Sequence, residues 1–409
     1  MPSSTAHPPL ALALTLLISS LTTARASDWP HFRGPTRNGI SDEKAWRSTW
    51  TGDIPVAWKA QVGLGFSSIV VSDGRAATAG HADGKDSVFC FEAATGKLLW
   101  QHSYPAQLGD VYFEGGTTGT PTFDGDHLYW LSRWGDLLCF DAASGKRLWE
   151  TQIATETGAP VPMWGFTGAP LVQGNLLVLN VGDAGTAVDK TTGTVLWKSE
   201  PKDAGYSTPI PLPPPLGDSG GGLVAFANTK GYLAVRTTTG AEAWRVRWIT
   251  EYGVNAADPV LSGDDLFLST GYGKGGALLH LTASGPQEVW KTKKLRTQMN
   301  AAVLHQGHLY GVDGDTTQKA SLKCLDLATG EQKWEHPGFG SGGLIIADGK
   351  LLAMSGIGEL LIAPASPEGF TPTARTQVFG PKAWTAPVLS NGLLYCRNNR
   401  GELVVLNLQ

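Results

Sequence analysis

Four stretches of the 409-residue chain repeat one pattern, and this pattern decides the fold. They read CFEAATGKLLW (90–100), CFDAASGKRLW (139–149), AVDKTTGTVLW (187–197) and CLDLATGEQKW (324–334). Each begins with a small residue, followed by Asp or Glu two positions later, Gly six later and Trp ten later. Two weaker copies are AVRTTTGAEAW (234–244), which lacks the acid, and LHLTASGPQEVW (279–290), which has one extra residue. Such self-similarity indicates an architecture of repeated units.

The tryptophans that end the copies recur at intervals of 44 to 49 residues. They are Trp100, Trp149, Trp197, Trp244, Trp290 and Trp334. Short turns flanked by strand-like runs recur between them, as in SDG (72–74), QGN (173–175) and ADGK (347–350). Each unit therefore reads as four short antiparallel strands with Trp on the outermost one. One sheet cannot bury both faces, so we predict that the sheets stack radially and that each Trp docks against the next sheet.

The count of units is eight. Six end at the tryptophans above, the seventh is degenerate and runs from Gly342 to Phe379, and the eighth (385–409) stops before an outer strand. The stretch 54–62 contains Trp58, 42 residues before Trp100, so this N-terminal strand is expected to complete the last blade and close the ring. We therefore predict an all-β fold, an eight-bladed β-propeller over residues 54–409.

Two segments precede the propeller in this interpretation. The apolar run Leu10–Leu21, followed by Ala24-Arg25-Ala26, predicts a signal peptide over residues 1–26 that is cleaved after Ala26, and residues 27–53 form an N-terminal extension. We expect a monomer that is exported to the periplasm or secreted, without a membrane span or a lipid anchor. The net charge of −4 and the lack of long basic runs argue against a nucleic-acid partner.

The four cysteines invite a disulfide interpretation in an exported protein. Cys90, Cys139 and Cys324 occupy the same place in three copies of the repeat, and Cys396 has no obvious partner. Equivalent strand positions in different copies are generally too far apart to be bridged. We therefore favour small buried thiols.

The 11-residue pattern resembles the tryptophan-docking repeat of pyrroloquinoline-quinone (PQQ) repeat propellers, and the likeness covers nearly all of residues 54–409. The stretch DWPHFRGPTRNG (28–39) resembles the start of secreted PQQ-like proteins of Planctomycetes. WD40 repeats have a similar period, but the chain contains no Trp-Asp dipeptide, and Kelch repeats lack this spacing.

The resemblance implies one of two kinds of function. Quinoprotein dehydrogenases bind PQQ and Ca²⁺ and oxidise alcohols or sugars, and their metal site needs a Glu or Asp with an Asn, plus a catalytic Asp. We cannot assemble that set in this sequence. The other branch is non-catalytic and includes the BamB-type outer-membrane assembly protein. We therefore predict a non-catalytic scaffold that binds a protein or a polysaccharide and has no catalytic residues, metal site or cofactor. The alternative is a PQQ- and calcium-dependent oxidoreductase.

Three short motifs could carry chemistry, and each has a simpler explanation. GDSGG (217–221) matches a protease nucleophile motif, but a nucleophile elbow needs a helix after it, whereas a strand follows here. His305 and His308 flank a turn that carries other polar residues in other blades, which indicates a solvated hairpin tip. Asp313-Gly314-Asp315 resembles part of a calcium loop without its other ligands.

The best functional candidates lie in the loops that lead into the inner strands. These loops meet at one end of the central channel, where propellers commonly bind partners, and aromatic faces there could stack on sugar rings, a quinone or peptide side chains. The alternative is that the rings plug the channel and shield the core. The candidates are Phe66, Trp164, Phe166, Tyr206, Tyr252, Asn255, Asn300, Phe339 and Trp384.

Overall fold

A computed structural model describes Met1 and residues 27–50, 52–213, 222–315 and 319–409. These residues form eight β-sheets, arranged as the blades of an eight-bladed propeller, and one short helix. The predicted fold class is thereby confirmed. Apart from Met1, the predicted signal peptide lies outside the described residues, and so does the whole GDSGG motif.

The strands are numbered in chain order. The two strands before the first complete blade are β1 (Ile40–Ser41) and β2 (Val56–Gln61). Within each blade the strands are given from the channel outwards. Blade 1 contains β3 (Val70–Ser72), β4 (Arg75–Ala82), β5 (Lys85–Glu92) and β6 (Leu98–Pro105), and blade 2 contains β7 (Thr122–Asp124), β8 (His127–Leu131), β9 (Asp136–Asp141) and β10 (Arg147–Gln152). Blade 3 contains β11 (Leu171–Gln173), β12 (Leu176–Leu179), β13 (Thr186–Asp189) and β14 (Val195–Lys198), and blade 4 contains β15 (Ile210–Leu212), β16 (Leu223–Asn228), β17 (Gly231–Arg236) and β18 (Glu242–Arg247). The helix α1 (Ile153–Thr157) follows β10.

Blades 5 to 8 follow the same plan, each with an innermost strand that is short. Blade 5 contains β19 (Val260–Ser262), β20 (Asp265–Thr270), β21 (Gly275–Thr282) and β22 (Gly285–Thr292), and blade 6 contains β23 (Val303–His305), β24 (His308–Asp313), β25 (Ser321–Asp326) and β26 (Gln332–His336). Blade 7 contains β27 (Gly343–Ala347), β28 (Lys350–Met354), β29 (Glu359–Pro364) and β30 (Ala374–Gln377), and blade 8 contains β31 (Val388–Ser390), β32 (Leu393–Arg397) and β33 (Glu402–Asn407). The outer strand of blade 8 is β2, in which Trp58 lies opposite Val405, so the N-terminal strand closes the ring as predicted.

The repeat tryptophans contact the neighbouring blade. Six of the seven donate their indole N–H to a backbone carbonyl there, over 2.8 to 3.1 Å. The pairs are Trp58–Ala93, Trp100–Ala142, Trp149–Lys190, Trp197–Thr237, Trp290–Leu327 and Trp334–Ser366. For Trp244 the described residues provide no such bond, and its neighbour is the blade whose repeat carries the extra residue.

The glycine of the repeat is explained by the same contact. Gly145 has a φ of +71°, and a Cβ added there would lie 2.5 Å from the ring of Trp100, the outer-strand tryptophan of the preceding blade. The acid of the repeat caps the turn, because Asp189 Oδ1 accepts hydrogen bonds from the N–H groups of Thr191 and Thr192. The hydroxyl of Thr191 also donates to it, and the two bonds from Thr191 hold the pKa of Asp189 below its ordinary value. The pattern therefore encodes a turn shaped to receive an indole ring.

The segment 27–43 lies in the central channel, and we call it the channel segment. Trp29 pairs with Val71 of β3 through two backbone hydrogen bonds of 2.8 Å, and Pro30 accepts one from Phe123 of β7. Farther along, β1 pairs in parallel with β27, the inner strand of blade 7. The extension therefore hydrogen-bonds to the inner strands of blades 1, 2 and 7.

Both ends of the channel segment lie at the same end of the channel. Asp28 accepts hydrogen bonds from Ser72 and Asp73 at the first hairpin turn of blade 1, and Glu43 accepts one from the N–H of Gly392 at the first hairpin turn of blade 8. We call this end the turn face, and the opposite end, where the connections between blades lie, the loop face. The segment enters and leaves through the turn face and occupies the channel from that side.

The four cysteines are buried free thiols, as the repeat positions predicted. Burial raises the pKa of Cys90, Cys139 and Cys324 to about 12, so none of the three forms a reactive thiolate near neutral pH.

We predict that Gly145→Ala destabilises the protein more than Gly125→Ala. Both glycines lie in turns of blade 2 with positive φ, but a Cβ at Gly125 meets nothing within 4 Å, whereas one at Gly145 collides with the Trp100 ring. Backbone strain of about 1–2 kcal/mol applies to both variants, and overpacking adds about 1–3 kcal/mol to Gly145→Ala alone. Chemical denaturation measures the difference, and equal losses would contradict the role assigned to the ring contact.

Candidate functional site

A cavity of about 310 Å³ opens at the loop face, over the channel segment. Its volume is at the small end of the roughly 300–1,000 Å³ typical of ligand pockets. Most of its lining comes from the loops that lead into the inner strands, and the channel segment contributes Phe32.

The lining is organised as two rings that follow from the repeat. The upper ring consists of the residues four positions before the inner strands of all blades except blade 7, namely Phe66, Thr118, Thr167, Tyr206, Ala256, Met299 and Trp384. The lower ring lies two positions before the strand, and its members in the cavity are Thr120, Thr208, Asp258 and Ala386. Because the inner strands run from the loop face to the turn face, the lower ring lies deeper.

Aromatic side chains form two walls. Trp384 stacks on Phe66 with ring centroids 5.3 Å apart and an interplanar angle of 23°, and Phe113 lies 5.8 Å from Phe66. The second wall is Trp164 packed edge-on against Tyr206, with centroids 5.7 Å apart. The first wall precedes blades 8, 1 and 2 and the second precedes blades 3 and 4, so the walls occupy adjoining arcs of the ring.

A buried carboxylate lies in the lower ring on blade 5, next to the second wall. Asp258 is 5 % exposed, and its Oδ1 accepts a hydrogen bond of 2.7 Å from the Thr208 N–H. Burial raises the pKa of Asp258 to about 6, while the positive charge of Arg33 in the channel segment opposes this shift. Among the described residues that line the cavity, Asp258 is the one charged side chain.

The other polar groups of the lining mostly hold the loops together. Thr118 donates its hydroxyl to the Phe166 carbonyl over 3.1 Å, and Thr385 donates to the Phe66 carbonyl over 3.3 Å. Asn300 donates to the Trp384 carbonyl over 2.7 Å and to the Gly342 carbonyl over 2.9 Å. These bonds join the loops of different blades and hold the backbone at Phe66 and Trp384, two residues of the first wall.

The structure brings five of the nine candidate residues together in this cavity. They are Phe66, Trp164, Tyr206, Asn300 and Trp384. The other four lie elsewhere. Phe166 and Phe339 are buried in the core, at 1 % and 2 % exposure. Asn255 donates to the carbonyls of Asn228 and Trp248, and Tyr252 is exposed with its ring edge-on to Tyr272.

Sequence reasoning missed Asp258, although the repeat carried a signal for it. Aligned on the turn after each inner strand, this position is occupied by Ser68, Thr120, Ala169, Thr208, Asp258, Ala301, Gly343 and Ala386. Seven of these residues are small and uncharged. Because the fold is satisfied by small uncharged residues at this position, the single acid indicates a functional role.

The remaining motifs carry structural roles. His308 is at a hairpin turn, where its Nδ1 lies 2.9 Å from the Gln306 carbonyl. Asp313 is 3 % exposed and pairs with Arg296 and Lys323, both at 2.8 Å, so it belongs to an ion-pair network. The part of the chain that the structure describes contains no cluster of three or more His, Cys, Asp or Glu suited to a metal ion.

The fold and the cavity define a β-propeller built from PQQ-like repeats, with a ligand-sized pocket at one end of its channel. A sequence profile described as outer membrane protein assembly factor BamB matches residues 38–118 and 106–336, well over half of the chain. The chain belongs to this family. No curated protein sequence matches it.

Solved structures with the same fold include BamB and two dehydrogenases. BamB from Moraxella catarrhalis is 17 % identical with a TM-score of 0.63, covering 88 % of this chain and 98 % of its own. The quinohemoprotein alcohol dehydrogenase ADHIIG from Pseudomonas putida HK5 is 13 % identical with a TM-score of 0.70, covering 93 % and 80 %. A europium-containing methanol dehydrogenase is 13 % identical with a TM-score of 0.68, covering 93 % and 89 %. At these identities the likeness concerns the fold alone.

Within the described part of the chain, no helix is both long and apolar enough to cross a bilayer.

We predict that Asp258→Asn stabilises the protein at neutral pH. With a folded-state pKa of about 6 against an ordinary value of 3.8, the folded protein holds a proton that the unfolded chain has released. Stability is therefore lost as the pH rises through this window, by up to about 3 kcal/mol. Asn removes this loss and can still accept the Thr208 N–H bond.

Denaturation of both proteins between pH 4 and 7 tests this prediction. The stability difference should grow as the pH rises towards 6 and level off above it. Asp53→Asn, on the exposed surface, is the control and should show no such growth. A stability difference between Asp258→Asn and the unmodified protein that stays constant from pH 4 to 7 would contradict the burial of this carboxyl group.

Proposed function

We propose that this protein is an exported, non-catalytic propeller that binds a glycan and holds one sugar unit in the loop-face cavity. The observation that carries the proposal is the combination of two aromatic walls and the buried carboxylate of Asp258 in one cavity. The aromatic surfaces match the C–H faces of a sugar ring, and a carboxylate accepts hydrogen bonds from the hydroxyl groups at the edge of that ring.

A peptide side chain fits the same cavity less well. An apolar side chain would exclude water from Asp258 without giving it a hydrogen-bond donor, and burying an unpaired charge is costly. A Lys or Arg side chain would supply a donor, but the positive charge of Arg33 already acts on Asp258. A neutral donor such as a sugar hydroxyl satisfies the carboxylate without adding a second cation.

The described lining does not fit PQQ with calcium. The cofactor is a tricarboxylate, but no Lys or Arg is among the described lining residues. The metal and the catalytic step need separate acidic residues, whereas this lining provides Asp258 alone. We therefore propose that the cavity works without this cofactor, and a titration with PQQ and Ca²⁺ is expected to give no saturable heat.

The apolar run Leu10–Leu21 and the sequence Ala24-Arg25-Ala26 support export to the periplasm or the medium. The family description, which names an outer-membrane assembly factor, agrees with a place outside the cytoplasm. We propose that the protein acts there as a monomer, because one ring contains a whole cavity.

We predict that Trp384→Ala and Trp164→Ala each weaken glycan binding at least tenfold, because each removes one aromatic wall. A tenfold loss corresponds to about 1.4 kcal/mol, within reach of a lost ring contact. The measurement is isothermal titration calorimetry with the hexaoses of the malto, cello, chito and xylo series, followed by titration of each variant with the one that binds.

The control is Trp134→Ala, which removes a tryptophan that lies outside the cavity lining and donates its indole N–H to the Gln107 carbonyl. This variant should bind within twofold of the unmodified protein. If none of the four hexaoses binds while a peptide library yields a ligand that Trp384→Ala abolishes, the cavity serves a protein partner and the glycan proposal is wrong.

A further inference from the structure

The channel segment closes the cavity from below. Phe32 is part of the cavity lining, and beneath it lies a space of only about 20 Å³, bordered by Trp29, Arg33 and Gly39. A space of this size holds a single water molecule. A ligand that enters from the loop face therefore meets a floor at Phe32, not an open channel.

This floor is part of the folded core. Trp29 is 1 % exposed and bonded in both directions to Val71 of β3. Arg33 donates to the Ala302 carbonyl of blade 6 over 2.8 Å. Gly39 has a φ of +80°, and a Cβ there would lie 2.7 Å from the Val303 side chain. The segment is thus tied to several blades, and its removal to admit a ligand would break each of these contacts.

The carboxylate belongs to the deep part of the cavity. Asp258 is in the lower ring, whereas Phe66, Tyr206 and Trp384 are in the upper ring nearer the opening. A sugar that reaches Asp258 has passed both aromatic walls and has the floor beneath it. The chain to which this sugar belongs can leave only towards the loop face.

We propose that the cavity recognises the terminal sugar unit of a glycan chain and excludes internal units. An internal unit carries a chain on both sides, and the second chain would have to pass through Phe32 and the packed channel segment. This inference rests on the proposed glycan binding and adds to it the part of the ligand that is bound.

The test uses the hexaose that binds, in four forms. These are the free hexaose, its alditol reduced at the reducing end, a derivative blocked by a bulky ether at the non-reducing end, and a derivative with both ends modified. Calorimetry with the intact protein should show full affinity for the form that keeps the recognised end. Modification of that end should cost at least 100-fold, and so should modification of both ends.

A second measurement uses the matching polysaccharide. Partial hydrolysis at constant mass multiplies the chain ends, so the number of protein molecules bound per gram should rise in proportion to the ends. Binding of the doubly modified hexaose within threefold of the free form, or a capacity set by mass, would overturn end recognition while leaving glycan binding intact. Absence of binding by every free hexaose would instead overturn the proposed function.

Discussion

The contact between an outer-strand tryptophan and the glycine turn of the next blade is the interaction on which the ring depends. A single four-stranded sheet leaves both faces exposed, and burial against its neighbours is what stabilises it. The Trp100 indole meets the Gly145 turn and donates to the Ala142 carbonyl, which fixes the relative position of two blades. Repeated around the ring, this contact sets the width of the channel and so the distance between the aromatic walls.

Much of the fold could be predicted from the sequence because this contact leaves a periodic mark. A glycine is required where the ring approaches, an acid where the turn amides need an acceptor, and a tryptophan at a constant distance, so all three recur. The strand around Trp58 was assigned to blade 8 on the same spacing, and its pairing with β33 confirms that assignment. The same local contact recurs in successive blades, so it produces a periodic pattern that a single sequence reveals.

The candidate site could be predicted only in part, because much of what forms it leaves no periodic pattern in the sequence. The upper-ring position was found through Phe66, Tyr206 and Trp384 because aromatic residues stand out in loops. Phe166 and Phe339 carry the same signal but pack into the core, since a loop aromatic can turn inwards or outwards without a change in sequence. The place of residues 27–43 in the channel depends on contacts with blades far away in sequence, such as Pro30 with Phe123, and these leave no local pattern.

The central claim is that the cavity between the aromatic walls, closed by Phe32 and containing Asp258, is where a glycan binds. A crystal structure of the protein with the highest-affinity hexaose tests it most directly. The account predicts density for a terminal sugar ring between the Trp384–Phe66 wall and the Trp164–Tyr206 wall, with a hydroxyl group at Asp258 Oδ2 and the chain leaving through the loop face. Ordered sugar on an outer blade surface, with the cavity empty at saturating ligand, would contradict it.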